Sequence, residues 1–178
     1  MNESEIKIVR YLNKIGGKKI DAVLAFMNAV SFLAFFWTAL VVLALVKHPE
    51  IAESFILAVM IVSLLHFSIT EGIIKHLLTH IFSKRKRPYE AYPEQIKPIG
   101  KKFSDSSFPS SHMATTVSML VVITSFYPSL VVPAVIFFLV MAFSRLHNGM
   151  HYPSDILAGS LLGLGYGWIA LEIVRTLF

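Results

Sequence analysis

The polar residues of this sequence gather in three short segments, and the most informative is Ser144-Arg145-Leu146-His147-Asn148-Gly149-Met150-His151-Tyr152-Pro153-Ser154-Asp155. His151 and Asp155 stand four apart at the start of a helix that Ser154 is expected to cap. A carboxylate that accepts a hydrogen bond from one imidazole nitrogen fixes the tautomer and leaves the other nitrogen as a nucleophile. Arg145 ends the preceding apolar run and offers a planar fork to phosphate oxygens. Read alone, the segment fits an interfacial arginine with a headgroup-level histidine equally well. His147, His151 and Asp155 also recur every four residues, which on one helix would resemble a metal site. Gly149 and Pro153 argue against such an unbroken helix.

The second segment, Phe108-Pro109-Ser110-Ser111-His112, opens an apolar run. Unpaired N–H groups at a helix start form a ready anion site, and the two serine hydroxyls add donors. His112, in the first turn, is placed to protonate a departing oxygen. By itself this segment also reads as an ordinary serine cap followed by an interfacial histidine. The third segment is Lys84-Arg85-Lys86-Arg87-Pro88, a basic cluster of the kind that often binds only anionic headgroups. Together the three supply two His, one carboxylate, two Arg and a helix N-terminus. That is a set suited to phosphoryl transfer, and no metal is needed to complete it.

These residues need elements to hold them together, and the composition says which kind. Of 178 residues, 55% are hydrophobic and only 15% charged; a soluble domain carries about 25% charged residues. So little charge cannot coat a water-facing globule. The length fits one domain, 1–178. There is no cysteine, which excludes disulfides and thiolate metal sites. The net charge is +5, and 13 of the 16 Lys and Arg lie in Lys7–Lys19 or Lys75–Lys102. Because that charge does not coat a soluble face, nucleic acid is excluded as a partner in favour of membrane lipids and an anionic substrate.

The chain reads as an all-α membrane bundle of about five transmembrane helices. Residues 1–19 form an interfacial amphipathic helix, with Ile6, Ile8, Val9, Leu12 and Ile15 on one face and Gly16-Gly17 ending it. Ile20–Val46 is the first span, with Asp21 its one charge, and Phe55–Ile74 the second. A polar loop, 84–108, follows; Pro93, Pro98 and Gly100 keep it from being one helix. His112–Tyr127 and Leu130–Phe143 are shorter runs, and Ile156–Phe178 is the last span. Gly159, Gly163, Gly165 and Gly167 in that span are expected to allow close helix contact. Counting crossings places all three polar segments on the membrane face that also carries the N-terminus.

With order, spacing and context assembled, the residues resemble the type 2 phosphatidic acid phosphatase superfamily, which includes the vanadium haloperoxidases. Ser144, Arg145, His151 and Asp155 meet its third motif, Ser-Arg, five residues, His, three residues, Asp. Pro109-Ser110-Ser111-His112 meets its Pro-Ser-Gly-His motif with serine in place of glycine. Arg87-Pro88 meets the end of its first motif, but the lysine position holds His80.

The resemblance implies a helical bundle with its site at the membrane surface, and a lipid phosphatase that works without cofactor or metal. His151 would attack phosphorus and form a phosphohistidine, Asp155 would orient it, and His112 would protonate the leaving lipid oxygen. Arg87, Arg145, Ser110 and the Ser111 N–H would hold the phosphate, with His80 or Lys84 replacing the missing lysine. Substrates of small members include undecaprenyl diphosphate, phosphatidylglycerophosphate, phosphatidic acid and the lipid A 1-phosphate. The resemblance also implies a multi-pass protein of the cytoplasmic membrane with its site on the outer face, although the positive charges at that face favour the cytoplasm. Two other readings use the same residues: a lipid phosphotransferase, and a non-catalytic lipid-binding or transport protein.

Overall fold

The computed structural model describes residues 3–178, and these are helical with no strand among them. The elements are α1 (Glu3–Leu12), α2 (Lys18–Met27), α3 (Val30–Lys47), α4 (Pro49–Ile81), the short α5 (Pro88–Ala91), α6 (Ser111–Phe126), α7 (Pro128–His147) and α8 (Pro153–Leu177). Four of them, α3, α4, α7 and α8, are long and apolar enough to cross a membrane. The fifth apolar helix, α6, is shorter at 16 residues and lies in the middle of the bundle.

Burial follows from which helix is surrounded. The α6 helix buries Met113, Ala114, Thr116, Val117, Ser118, Met119, Val122 and Ile123. The α3 helix buries only Leu33 and Trp37 and turns Phe35, Val42 and Val46 outward. Large apolar side chains exposed along α3, α4, α7 and α8 would be untenable in water and suit hydrocarbon.

The glycine stripe sets the α6–α8 distance. A Cβ on Gly163 would stand 2.5 Å from the Ala114 carbonyl oxygen, and one on Gly167 2.6 Å from Val121 Cβ. Gly159 meets the Ser110 carbonyl in the same way, so this contact also fixes the loop before α6. Gly165 faces open space and takes no part. On the other flank of α8, the Tyr166 hydroxyl pairs with Thr70 of α4 at 2.8 Å.

Three expected boundaries move. The span expected over Ile20–Val46 is broken at Asn28-Ala29 into α2 and α3. The Asn28 amide bonds back to the Leu24 carbonyl (2.6 Å), closing α2 with its side chain buried. The N-terminal helix ends at Leu12 and docks on the bundle. Val9 is fully buried, Glu5 bonds Arg85 and the Ser154 N–H, and Asn13 bonds the carbonyls of Lys97 and His147. Finally, α4 runs to Ile81, and its stretch His66–Leu77 winds as a π-helix.

Candidate active site

The site forms where the N-terminal ends of α6 and α8, the C-terminal end of α7 and the loop around α5 converge. Its centre is His151, almost fully buried. His151 Nδ1 donates to the Ser107 carbonyl at 2.8 Å, and a carbonyl can only accept, so Nε2 carries the lone pair. That nitrogen sits 3.2 Å from Arg145 Nη2 and 3.4 Å from Arg87 Nη1. Burial, and then the charges of Arg145, Arg87 and Lys75, hold the His151 imidazolium well below its ordinary pKa. The ring is therefore neutral at physiological pH, with its nucleophilic atom between two guanidinium groups. Gly149 makes the turn from α7 to His151 at φ 69°, in the left-handed region.

The orientation of His151 differs from the one its spacing suggests. Asp155 Oδ2 is 3.7 Å from His151 Nδ1, beyond a hydrogen bond, and Ser107 takes the proton instead. Asp155 accepts from the Tyr152 N–H at 2.8 Å and pairs with Arg85 at 2.6 Å. Tyr152 rather than Ser154 occupies the cap position of α8; the Ser154 N–H goes to Glu5 at 2.8 Å. The carboxylate thus ties the helix start, the Arg85 loop and, through Glu5, α1 into one network beside the ring.

His112 opens α6 and donates from Nε2 to the Asn28 carbonyl at 3.1 Å, leaving Nδ1 as the atom able to take up a proton. Asn28 also accepts from Arg145 (3.0 Å) and Ser144 (3.3 Å) through Oδ1. One break residue thereby positions three residues of the second and third motifs. The hydroxyls of Ser110 and Ser111 are buried without partners, as are the Nε atoms of Arg87 and Arg145. These are four buried donors that no protein group engages.

His80 and Lys84 lie away from this centre. His80 is exposed and bonds the His76 carbonyl at 2.6 Å; Lys84 is exposed and donates to the Ser104 carbonyl at 2.8 Å. The helix ends at Ile81 and the chain is extended at Phe82, so no continued helix carries Lys84 to the side of Arg87. The cation that does line the site is Lys75, buried, with Nζ 2.6 Å from Asp105. Asp105 bridges it to Arg87, also at 2.6 Å. Burial would raise the Asp105 carboxyl, but Lys75 and Arg87 override it and hold it at about 2. His147 faces elsewhere, toward the Leu12 carbonyl and Asp21, so it does not join His151 and Asp155. Among the described residues, no three His, Cys, Asp or Glu are grouped to hold a metal ion.

From this centre a cavity of about 760 Å³ runs down between α3, α4 and α6, lined by Leu33, Trp37, Val41, Val59, Val62 and Met119 along its apolar part. A buried anion site at the head of an apolar cleft has the shape of a lipid phosphate.

The chain is similar to known proteins. The family model of the PAP2 superfamily matches residues 56–178, more than half of the chain. The chain belongs to the PAP2 superfamily. Lipid A 4'-phosphatase of Bacteroides thetaiotaomicron is 28% identical over 80 residues, covering 44% of this chain and 36% of that protein. Undecaprenyl-diphosphatase BcrC of Bacillus subtilis is 30% identical over 99 residues, covering 54% and 49%. The matched stretches therefore span less than half the length of either relative. Two solved structures share the fold. Aquifex aeolicus LpxE aligns with a TM-score of 0.66 at 22% identity over 93% of both chains. A transmembrane PAP2-type phosphatidylglycerolphosphate phosphatase from Bacillus subtilis aligns at 0.71 and 18% identity, over 98% of this chain and 86% of that one. With four apolar membrane-length helices in the PAP2 fold, the chain is a multi-pass membrane protein.

Proposed function

We propose that this chain hydrolyses the phosphate monoester or diphosphate of a membrane lipid through a phosphohistidine. The observation that carries the reading is the neutral Nε2 of His151 held between Arg145 and Arg87 at the head of an apolar cavity. As the phosphate dianion binds, His112 Nδ1 takes up a proton from solvent; in the first step His151 Nε2 forms a bond to phosphorus while the bond from phosphorus to the lipid oxygen breaks, and His112 Nδ1 gives that proton to the lipid oxygen. In the second step His112, now neutral, takes a proton from water as the water oxygen attacks phosphorus, and His151 departs. Arg87, Arg145, Lys75 and the donors at Ser110 and Ser111 stabilise the oxygens as charge shifts among them. Asp155 acts as a positioning residue, through the start of α8 and Arg85.

A mere phosphate-binding protein needs the arginines but no nucleophile with its lone pair aimed among them, which favours catalysis. The deciding experiment is chemical trapping. Brief reaction with a ³²P-labelled lipid phosphate and alkaline quenching should leave acid-labile, base-stable label on the protein. His151→Ala should carry none and release phosphate several powers of ten more slowly. Near-normal release by that variant rules out the mechanism. We place the protein in the cytoplasmic membrane with the site on its outer face. The cations at this face are accounted for by phosphate binding, so they carry little weight for orientation.

A further inference from the structure

Lys75, Arg87 and Arg145 line the same cavity as His151, and a carboxylate of this chain already engages two of them. Asp105 Oδ2 lies 2.6 Å from Lys75 Nζ, and Oδ1 lies 2.6 Å from Arg87 Nη2. Asp105 lines the cavity as well, its side chain 39% exposed against 6% for Lys75 and 2% for Arg87. The carboxylate can turn toward water, and the cations cannot. Its backbone is held on both sides: the Ser104 carbonyl accepts from Lys84, and the Ser107 N–H donates to the Arg85 carbonyl. Rotation of the Asp105 side chain alone opens the bridge.

Arg87 shows why it must open. Each terminal nitrogen of a guanidinium carries two hydrogens. Those on Nη1 are directed at the Met150 carbonyl (3.2 Å) and His151 Nε2 (3.4 Å), and those on Nη2 at Asp105 (2.6 Å) and the Ser106 carbonyl (3.5 Å). A phosphate oxygen gains a strong bond from Nη2 only when Asp105 gives it up. Two anions sharing Lys75 and Arg87 would also repel each other at close range. The exchange has a sense at each end of the reaction. An arriving lipid phosphate buries its chain in the apolar cavity, which offsets the cost of moving Asp105. Inorganic phosphate leaves without a chain, and the returning carboxylate replaces the bonds that Lys75 and Arg87 lose.

We propose that Asp105 is a built-in competitor of the phosphate: the substrate displaces its carboxylate from Lys75 and Arg87 toward water, and its return discharges inorganic phosphate. The inference rests on the phosphatase reading for the place of the phosphate among these cations, and adds how the product is let go.

Binding of inorganic phosphate to purified full-length protein in detergent tests this without turnover. Asp105→Asn keeps the shape and removes the charge, and should lower the Kd for phosphate about tenfold or more. Asp105→Ala should lower it as well. An unchanged or higher Kd in either variant overturns the proposal, because a carboxylate that only positions Lys75 and Arg87 would support binding. Displacement is read separately from charge. The sequence holds three aspartates, Asp21, Asp105 and Asp155, and the ¹³C-labelled carboxyl signal missing from Asp105→Asn belongs to Asp105. Saturating phosphate should move that signal in wild type to the position of a solvated carboxylate. A signal that stays at its ion-paired position overturns displacement, even beside a tighter Kd in the variants. Lipid hydrolysis is scored in the same preparations. Wild type that releases no phosphate from lipids sinks the phosphatase reading, while the Kd values and the carboxyl signal still judge Asp105.

Discussion

Lys75 and Asp105 form a polar pair lining the cavity that neither the spacing of motifs nor charge runs point to. Lys75 is buried, lines the cavity and reaches within 2.6 Å of a carboxylate that also holds Arg87. A cation buried at a developing phosphoryl transition state is worth far more than one in solvent. Lys75→Ala should therefore lower kcat/KM at least a hundredfold, with His80→Ala and Lys84→Ala nearly silent; steady-state assays of the three variants decide this. An opposite ranking would return the role to the exposed His80 or Lys84. His151 makes a second prediction, in which the sign matters. Its pKa is depressed, so the active neutral ring survives to lower pH than an ordinary histidine near 6.5. The C2 carbon and proton resonances of His151 in isotope-labelled protein should therefore hold steady between pH 8 and 6, and a titration midpoint near 6.5 would place the ring back in the ordinary range.

At the scale of elements, α4 explains why Lys75 escapes a reading by helical period. His66 and Lys75 are nine residues apart, which in an α-helix of 3.6 residues per turn puts them on opposite faces. With the i→i+5 bonding of a π-helix, roughly 4.4 residues per turn, nine residues make about two turns and both face the cavity. The broken first span is a similar case: nothing local marks Asn28 as a break, because its partners Ser144, Arg145 and His112 are more than eighty residues away. Gly159, Gly163 and Gly167, by contrast, were legible as packing residues, while Gly165 is not one, and the difference supports a prediction. Gly163→Val drives a side chain into the Ala114 carbonyl and should cost about 1 to 3 kcal/mol. Its melting temperature in detergent should drop, whereas Gly165→Val, facing open space, should melt like wild type. Equal melting would mean that α6 and α8 are not held at contact distance.

For the whole molecule, the absence of cysteine makes orientation directly measurable. Lys101 is exposed in the loop over the site. Lys101→Cys should react with a membrane-impermeant maleimide in intact cells if the site faces outward; protection until the cells are lysed would put it on the cytoplasmic face. The α1 helix belongs to this scale as well, since Glu5 joins Arg85 and the α8 N-terminus and closes the site from the side.

The all-helical, apolar character of the chain and the gathering of His112, His151, Arg87 and Arg145 in three polar segments were determined by sequence alone. Hydrophobic length is a local, additive property, and the motif chemistry needs only residue types in order. Tertiary structure alone decided who touches whom. Ser107 rather than Asp155 sets the tautomer of His151, Asn28 carries the second and third motifs, and Lys75 rather than His80 or Lys84 faces the phosphate cavity. The physical reason is common to all three. A hydrogen bond is settled within a few tenths of an ångström, while one turn of altered winding or a break in a helix moves a side chain by several.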